Sequence, residues 1–293
     1  MTTAPHPTGP HPTDPHATGP HPTGPHPAGK VSRDPTTVPP TAVKTYSSVD
    51  TARFKCWGSG VANERTARRL LGDAVPQVVD VWADGEAEYA RLEWLDGRPL
   101  DLGAPADLVA AGRLLGAVHA CTGTWWGSLD GAHRFGDQRA AFASRFQAGV
   151  RLLAGHEPAL AARVEGWSAP RLAAAGWRGE PRLVHGDFGP NNLLRCGAVV
   201  RVLDWEHARW GHPLEDWAKI RFAARFPEPN GFGAQQAALD LLAQGWTAVR
   251  GAPPPSAEPE GQLLEAYLAM CLGTFFPARP NPRLQWLADL VGR

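Results

Sequence analysis

Residues 183–194 read LVHGDFGPNNLL, a stretch in which two apolar ends enclose a histidine, an aspartate, two glycines, a proline and two asparagines. The ends favour burial and the centre does not, so the segment reads as a loop held between short strands. Downstream, "RCG" leads into "AVVRVLDWE", a further strand after a turn at Cys196-Gly197. A loop held this way inside an otherwise helical region is where a rigid scaffold presents reactive groups.

The helical region is legible from apolar periodicity. "PADLVAAGRLLGAVHA", starting near residue 104, repeats apolar residues at helical spacing, and similar patterns cover 138–153, 213–225, 233–249, 259–276 and 282–291. The earlier part of the chain is different. Thr41 to Tyr46, rich in β-formers after two prolines, predict a strand carrying Lys44. "ANERTARRLLG" predicts a helix stopped by Gly72, with Glu64 and Arg68 one turn apart on one face. "PQVVDVWADGEAEYARLEWLDG" predicts two strands joined by a turn at Asp84-Gly85.

Composition excludes several function classes. Lys plus Arg equals Asp plus Glu at 29 each, so no basic field exists to hold nucleic acid. Cys56, Cys121, Cys196 and Cys271 form no CxxC pair, which argues against a zinc site or a disulfide framework. No apolar run is long enough for a membrane span, and the start is Pro/His-rich rather than basic then apolar, so the expected location is cytoplasmic. Residues 5–29 are five pentads of the PHPTG type, and residues 1–36 are expected to form a disordered tail. The pentads place His6, His11, His16, His21 and His26 at a fixed spacing that could hold nickel or zinc weakly; a solvated extension is the preferred reading.

The polar loop carries a recognisable order. His185, Asp187 and, five residues on, Asn192 match the H-x-D-x-x-x-x-N pattern of a kinase catalytic loop. Asp187 can take the proton of a substrate hydroxyl as its oxygen attacks phosphorus. Asn192 offers a neutral hard oxygen suited to Mg²⁺. Asp204, on the next strand, can supply the metal-binding carboxylate, and Glu206 is a candidate further ligand. The letters Asp187-Phe188-Gly189 also spell the metal-binding triplet of protein kinases, but the flanking His and Asn mark the catalytic loop instead. His185 is expected to serve the site by supporting the loop.

"LVHGDFGPNNLL", "VLDWEHARWGHPLEDWAKI" and "LEWLDGRPL" together resemble the aminoglycoside phosphotransferase and choline kinase-like family of small-molecule kinases, over roughly residues 40–225. The resemblance implies an α+β, two-lobed, protein-kinase-like fold. Residues 37–96 would form a small, β-rich and incomplete N-lobe, and 97–293 a large helical C-lobe, with a nucleotide in the cleft. It further implies Asp187 as catalytic base, with His185 beside it; Asn192 and Asp204 as Mg²⁺ ligands; Lys44 at the nucleotide phosphates, partnered by Glu64; and Glu93, Trp94 and Leu95 as the hinge meeting adenine. Asp216 would brace the loop. Lys55 competes with Lys44 but lacks strand-like neighbours.

The implied activity is transfer of the γ-phosphoryl group of ATP, with GTP left open, to a hydroxylated small molecule such as an aminoglycoside, an amino alcohol or a sugar-like compound. The family's small lobe has about two further strands and a glycine-bearing turn before the lysine strand; here "KVSRDPTTVPPT" reads as too short and proline-rich for a hairpin. The competing reading is therefore an inert or weakly active kinase-fold protein that binds a nucleotide or small molecule as a regulatory module. For the acceptor, Glu215, Asp240, Glu258, Glu260 and Glu265 could attract a cation, and Trp125, Trp126, Trp205, Trp210 or Trp217 could box a quaternary amine, though solvated faces and core packing account for most of them.

The tail reading carries the first prediction. Deleting residues 1–30 leaves the melting temperature and nucleotide affinity at parental values, whereas a chain starting after Lys44 loses both. A drop in either on removing residues 1–30 alone would contradict it.

Overall fold

The computed structural model describes residues 31–34, 39–47, 58–83, 87–226, 232, 236–255, 260–275 and 280–292. The lysine strand is where the small lobe begins to make sense. In β2 (Thr41–Ser47), Ala42, Lys44 and Tyr46 alternate inward, as a half-buried strand requires. It lies in a four-stranded antiparallel sheet with β1 (Val31–Asp34), β3 (Val78–Ala83) and β4 (Ala87–Glu93), ordered β1-β2-β4-β3. Helix α1 (Gly60–Leu71) packs beneath it, and Tyr46, Val61, Ala90 and Leu92 form the local core. Ser59 caps α1 by accepting from Ala62 N–H, and Gly72, at φ 57°, ends it where expected.

One expectation is corrected here. The segment before Lys44 does form a hairpin partner: β1 pairs antiparallel with β2, Val31 opposite Lys44 and Asp34 opposite Thr41. The strand lies inside the span 1–36 read as tail. Its prolines explain both the error and the result. Pro39 and Pro40 fall outside the ladder, so no inter-strand bond is lost to them. The glycine-bearing turn is still missing from this connection, whose residues 35–40 read PTTVPP.

The large lobe contributes the other helices: α2 (Pro105–Val118), α3 (Gln138–Ala154), α4 (Pro158–Ala174), α5 (Leu214–Arg225), α6 (Gln236–Arg250), α7 (Glu260–Phe275) and α8 (Pro282–Val291). Helix α4 has no counterpart in the sequence reading. Pro158, Gly166 and Pro170 interrupt its pattern; Pro158 is tolerated in the first turn, and the helix carries Pro170 in its interior. Among the described residues no helix is long and apolar enough to cross a membrane.

Two small sheets frame the polar loop. One is ordered β10-β9-β5, from β5 (Arg98–Pro99), β9 (Leu193–Cys196) and β10 (Val199–Val202), with the expected turn at Gly197. The other is ordered β7-β6-β11-β8, from β6 (Trp126–Ser128), β7 (Arg134–Phe135), β8 (Arg182–Val184) and β11 (Arg209–Gly211). Strands of two or three residues are too short to show alternation, which is why most of this second sheet is invisible in the sequence. Leu183 and Leu193, the apolar ends of the loop, are fully buried.

Two hydrophobic cores meet at α5. Trp217 and Ile220 face one, which contains Leu115, Trp205, Leu242 and Trp246; Leu214, Ala218 and Phe222 face the other, which contains Phe142, Phe146 and Met270. In the first core α2 and α6 approach to backbone contact. A Cβ on Gly112 would lie 2.1 Å from Leu242 O, and one on Gly245 2.1 Å from Val109 O.

The close approach makes opposite predictions for two helical glycines. Gly112→Ala forces α2 and α6 apart and costs about 1–3 kcal/mol. Gly166→Ala, in α4 with nothing within 4 Å of the new methyl, leaves stability unchanged or raises it by up to about 1 kcal/mol. Thermal unfolding of the two variants checks both signs.

Candidate functional site

Three elements bring charges together around Lys44. Its Nζ lies 3.0 Å from Glu64 Oε1 on α1, 2.6 Å from Asp204 Oδ1 after β10, and 3.8 Å from Glu206 Oε2. The ammonium also sits 4.5 Å from the Tyr46 ring centroid. Burial opposes the charged lysine, but Glu64 and Asp204 outweigh it and hold its pKa well above the ordinary value. Burial likewise opposes ionisation of Asp204, and Lys44 overcomes it, pulling that carboxyl down to about 2. Lys55 lies outside the described residues.

Glu64 does more than meet the lysine. Its Oε1 also accepts from Tyr46 Oη at 3.1 Å and from Trp205 N–H at 3.2 Å, while its neighbour Asn63 donates through Nδ2 to the carbonyls of Glu206 and Ala208. Helix α1 is thereby pinned to the short turn that follows Asp204. Asp204 itself has φ 64° and ψ 66°, the one non-glycine residue at positive φ among the described residues. That conformation costs about 1–2 kcal/mol and is held by the contacts around it.

The loop 185–192 lies beside this cluster. His185 is fully buried; its Nδ1 accepts from Asp187 N–H at 3.1 Å, which leaves Nε2–H to donate to Leu203 O at 2.9 Å. Leu203 N–H in turn donates to Asn192 O at 2.8 Å, so the loop and the Asp204 segment are tied at two points. Asn192 Nδ2 donates to Asp187 O and Oδ2 at 2.9 and 3.1 Å, and Lys219 Nζ on α5 meets Asp187 Oδ1 at 2.5 Å. Burial opposes the Asp187 charge, but Lys219 outweighs it and keeps the carboxyl below its ordinary range.

Beneath the loop, Asp216 accepts from the N–H groups of His185 and Gly186 at 2.9 and 2.7 Å and from His119 Nε2 at 3.0 Å. Trp246 Nε1 donates to the other ring nitrogen of His119 at 2.9 Å. The expected hinge residues sit at the seam between sheet and large lobe. Glu93 Oε1 pairs with Arg201 on β10 at 3.2 Å, Trp94 N–H donates to Pro40 O at 3.3 Å, and Leu95 is buried.

A model of the phosphotransferase enzyme family matches residues 61–252, more than half of the chain. The chain belongs to this family. No curated protein sequence matches it. Among solved structures, a fructosamine-3-kinase by provisional assignment from Thermobifida fusca is 20% identical, with a TM-score of 0.62 over 90% of this chain and 92% of that one. The choline kinase LicA from Streptococcus pneumoniae is 14% identical, with a TM-score of 0.59 over 90% and 89%. A thermostable mutant of the aminoglycoside phosphotransferase APH(4)-Ia, in ternary complex with AMP-PNP and hygromycin B, is 17% identical, with a TM-score of 0.55 over 86% and 84%. At these identities the likeness establishes the protein-kinase-like fold of this family member.

The acids considered for a cationic acceptor are occupied within the fold. Glu215 is buried and accepts from Arg145, Arg209, Gln138 Nε2 and His212 N–H. Glu260 accepts from Gly176 N–H, Glu265 pairs with Arg225 at 3.2 Å and Asp240 accepts from Gln236; Glu258 lies outside the described residues. The tryptophans are packing residues as well: Trp126, Trp205, Trp210 and Trp217 are buried, and Trp125 donates to Ser128 O beneath the Arg134 guanidinium.

Several participants escaped sequence reasoning. Lys219, Asn63, His119 and Trp246 carry no motif of their own. The one available signal is spacing, since Asp216 and Lys219 stand three apart on a helix and must share a face.

Glu215 supplies a pH prediction. Burial disfavours its charge, but Arg145 and Arg209 overcome this and hold its pKa well below the ordinary 4.5. A carboxyl depressed in the folded state contributes stability that is full above its unfolded pKa and lost as pH falls. Glu215→Gln therefore destabilises the protein at pH 7 by about 3–5 kcal/mol, because Arg145 stays buried without its charge partner. The gap between variant and parent narrows below about pH 4.5, as chemical denaturation across pH would measure.

Proposed function

We propose that the protein is an ATP-dependent O-phosphotransferase that moves the γ-phosphoryl group to a hydroxyl of a small molecule in the cytoplasm. The observation that carries this reading is the convergence of Lys44, Glu64 and Asp204, from β2, α1 and the end of β10, beside a loop whose Asp187 carboxylate is oriented by Asn192 and Lys219. An ion cluster assembled from three separate elements around the buried Lys44 and Glu64 serves packing poorly, because desolvating the charges costs more than apolar side chains in the same place. It serves a metal-bearing polyanionic ligand, whose anion the Lys44 ammonium can meet and whose cation the carboxylates can hold.

In the transfer, Asp187 accepts the proton of the acceptor hydroxyl while that oxygen forms a bond to the γ-phosphorus. The bond from phosphorus to the β–γ bridging oxygen breaks, and ADP leaves with the electron pair. Asp187 suits the base role because it is ionised and held on both oxygens, so its orientation is set before the acceptor binds. His185 is a positioning residue whose two ring nitrogens are occupied by Asp187 N–H of the loop and the Leu203 carbonyl of the Asp204 segment. Lys44 meets the nucleotide phosphates with Glu64 steadying it, and the backbone of Glu93, Trp94 and Leu95 meets adenine. The AMP-PNP complex of the APH(4)-Ia relative supports ATP as donor.

Magnesium fits the residues present. Three carboxylates face the single Lys44 ammonium within 4 Å, and the buried Glu64 Oε2 has no hydrogen-bond partner among the described residues, so the cluster carries excess negative charge. Among the described residues no group of three or more His, Cys, Asp or Glu forms a protein-only metal cage. Asn192 and Asp204 are hard oxygen donors on adjoining segments and would hold the ion, which supplies neutralisation of phosphate charge. The acceptor is a hydroxylated molecule whose recognition does not rest on Glu215, Glu260 or Glu265.

Asp187→Asn removes the proton acceptor with little change in volume. It lowers phosphoryl transfer at least about a hundredfold while nucleotide affinity stays near parental. Asp204→Ala loses the Mg²⁺-dependent part of nucleotide binding. Calorimetry with and without Mg²⁺, paired with a turnover assay over a panel of hydroxylated acceptors, tests both. Parental turnover in the first variant, or parental Mg-nucleotide affinity in the second, would sink the assignment.

A further inference from the structure

Asp187 is gripped from two sides by groups of different origin. Asn192, from the loop itself, donates to Oδ2 at 3.1 Å; Lys219, 32 residues away on α5, meets Oδ1 at 2.5 Å. Asp216 and Lys219 share one face of α5, so one helix holds both the backbone of the loop and its carboxylate. That helix is wedged between the two cores and anchored by the Glu215 network. Lysine on a solvated helix swings freely on a four-carbon stem. Lys219 is 22% exposed and is placed by a rigid element.

We propose that Lys219 is a catalytic residue whose ammonium contacts the γ-phosphoryl group as it passes from nucleotide to acceptor. The inference rests on the functional reading above and assigns a residue to its acceptor end. A hydroxyl bonded to Asp187 lies about 2.6–3.2 Å from the carboxylate, and the phosphorus it attacks lies about 3–3.5 Å further on. An ammonium touching that same carboxylate is within a small side-chain adjustment of the phosphoryl oxygens. An ammonium presents three N–H donors and a compact full charge, the form of contact that a phosphoryl oxygen accepts. The charge of the moving group is spread over its equatorial oxygens. Lys44, through Asp204, approaches the path from the small lobe, and Lys219 approaches it from the large lobe. The hydroxyl proton still goes to Asp187; Lys219 keeps its protons and contributes charge alone.

The test uses the full chain with Lys219→Met and Lys219→Arg. Two quantities are read: ATP turnover with water as acceptor, split into kcat and KM, and calorimetric affinity for Mg-ADP with and without aluminium fluoride, which mimics the flat phosphoryl group. Lys219→Met lowers kcat by about a hundredfold with KM for ATP within about twofold. It keeps Mg-ADP affinity and loses the added affinity from aluminium fluoride, while Lys219→Arg recovers a substantial part of both. Parental kcat and parental aluminium fluoride enhancement in Lys219→Met would overturn the inference and leave the functional reading standing. So would a parallel fall in Mg-ADP affinity and melting temperature, which marks a purely structural lysine. A parent that binds no Mg-ADP overturns the functional reading and this inference with it.

Discussion

The carboxylate of Asp216 is the contact on which the site's geometry depends. Buried in the large lobe, it accepts two consecutive loop N–H groups and the His119 ring, which is itself oriented by Trp246. Gly186, at φ 83°, turns the chain so that both N–H groups can reach one side chain. A buried carboxylate without such donors would cost several kcal/mol, so the loop has little freedom to rearrange without exposing that penalty. The position of Asp187 follows from this. It lies two residues past His185, with its own N–H spent on the His185 ring.

A second constraint joins the lobes. Lys44 and Glu64 belong to the small lobe and Asp204 to the large one, and α1 adds neutral bonds from Asn63 to the carbonyls that follow. The polar joint fixes where the sheet sits over the loop. It also leaves more carboxylates than cations at the seam, an excess that a bound cation would balance. The two constraints share the segment from Leu203 to Trp205. Leu203 bonds to His185 and Asn192, Asp204 to Lys44, and Trp205 N–H to Glu64. The left-handed backbone of Asp204 is the local cost of meeting both lobes at once.

Charges elsewhere in the large lobe have a different role. Glu215 adjoins Asp216 in sequence but points into a ring of arginine and amide donors that hold β11 and α3 to the start of α5. Acidic residues counted from the sequence therefore overstate what an acceptor can meet. A carboxylate that already accepts four or five hydrogen bonds has no capacity left for a ligand.

The sequence alone determined the elements whose signals are local. The periodicity of α2, α3, α5, α7 and α8, the Gly72 stop, the β3–β4 hairpin and the spacing of His185, Asp187 and Asn192 are all functions of residues within a few positions of one another. Family resemblance carried Lys44 and Glu64 to the site as a pair, and the fold brings them together with Asp204. Other features were decided by tertiary structure. β1 forms because β2 offers it an edge, and Pro39 and Pro40 fall outside the ladder. Helix α4 survives two prolines and a glycine because Val164, Trp167 and Leu172 are buried by neighbours distant in the chain. Lys219 meets Asp187 across 32 residues, and His119 meets Asp216 across 97. A hydrogen-bond donor is the same letter wherever it points, and only the packing of α2, α5 and α6 around the loop sets which donors face it.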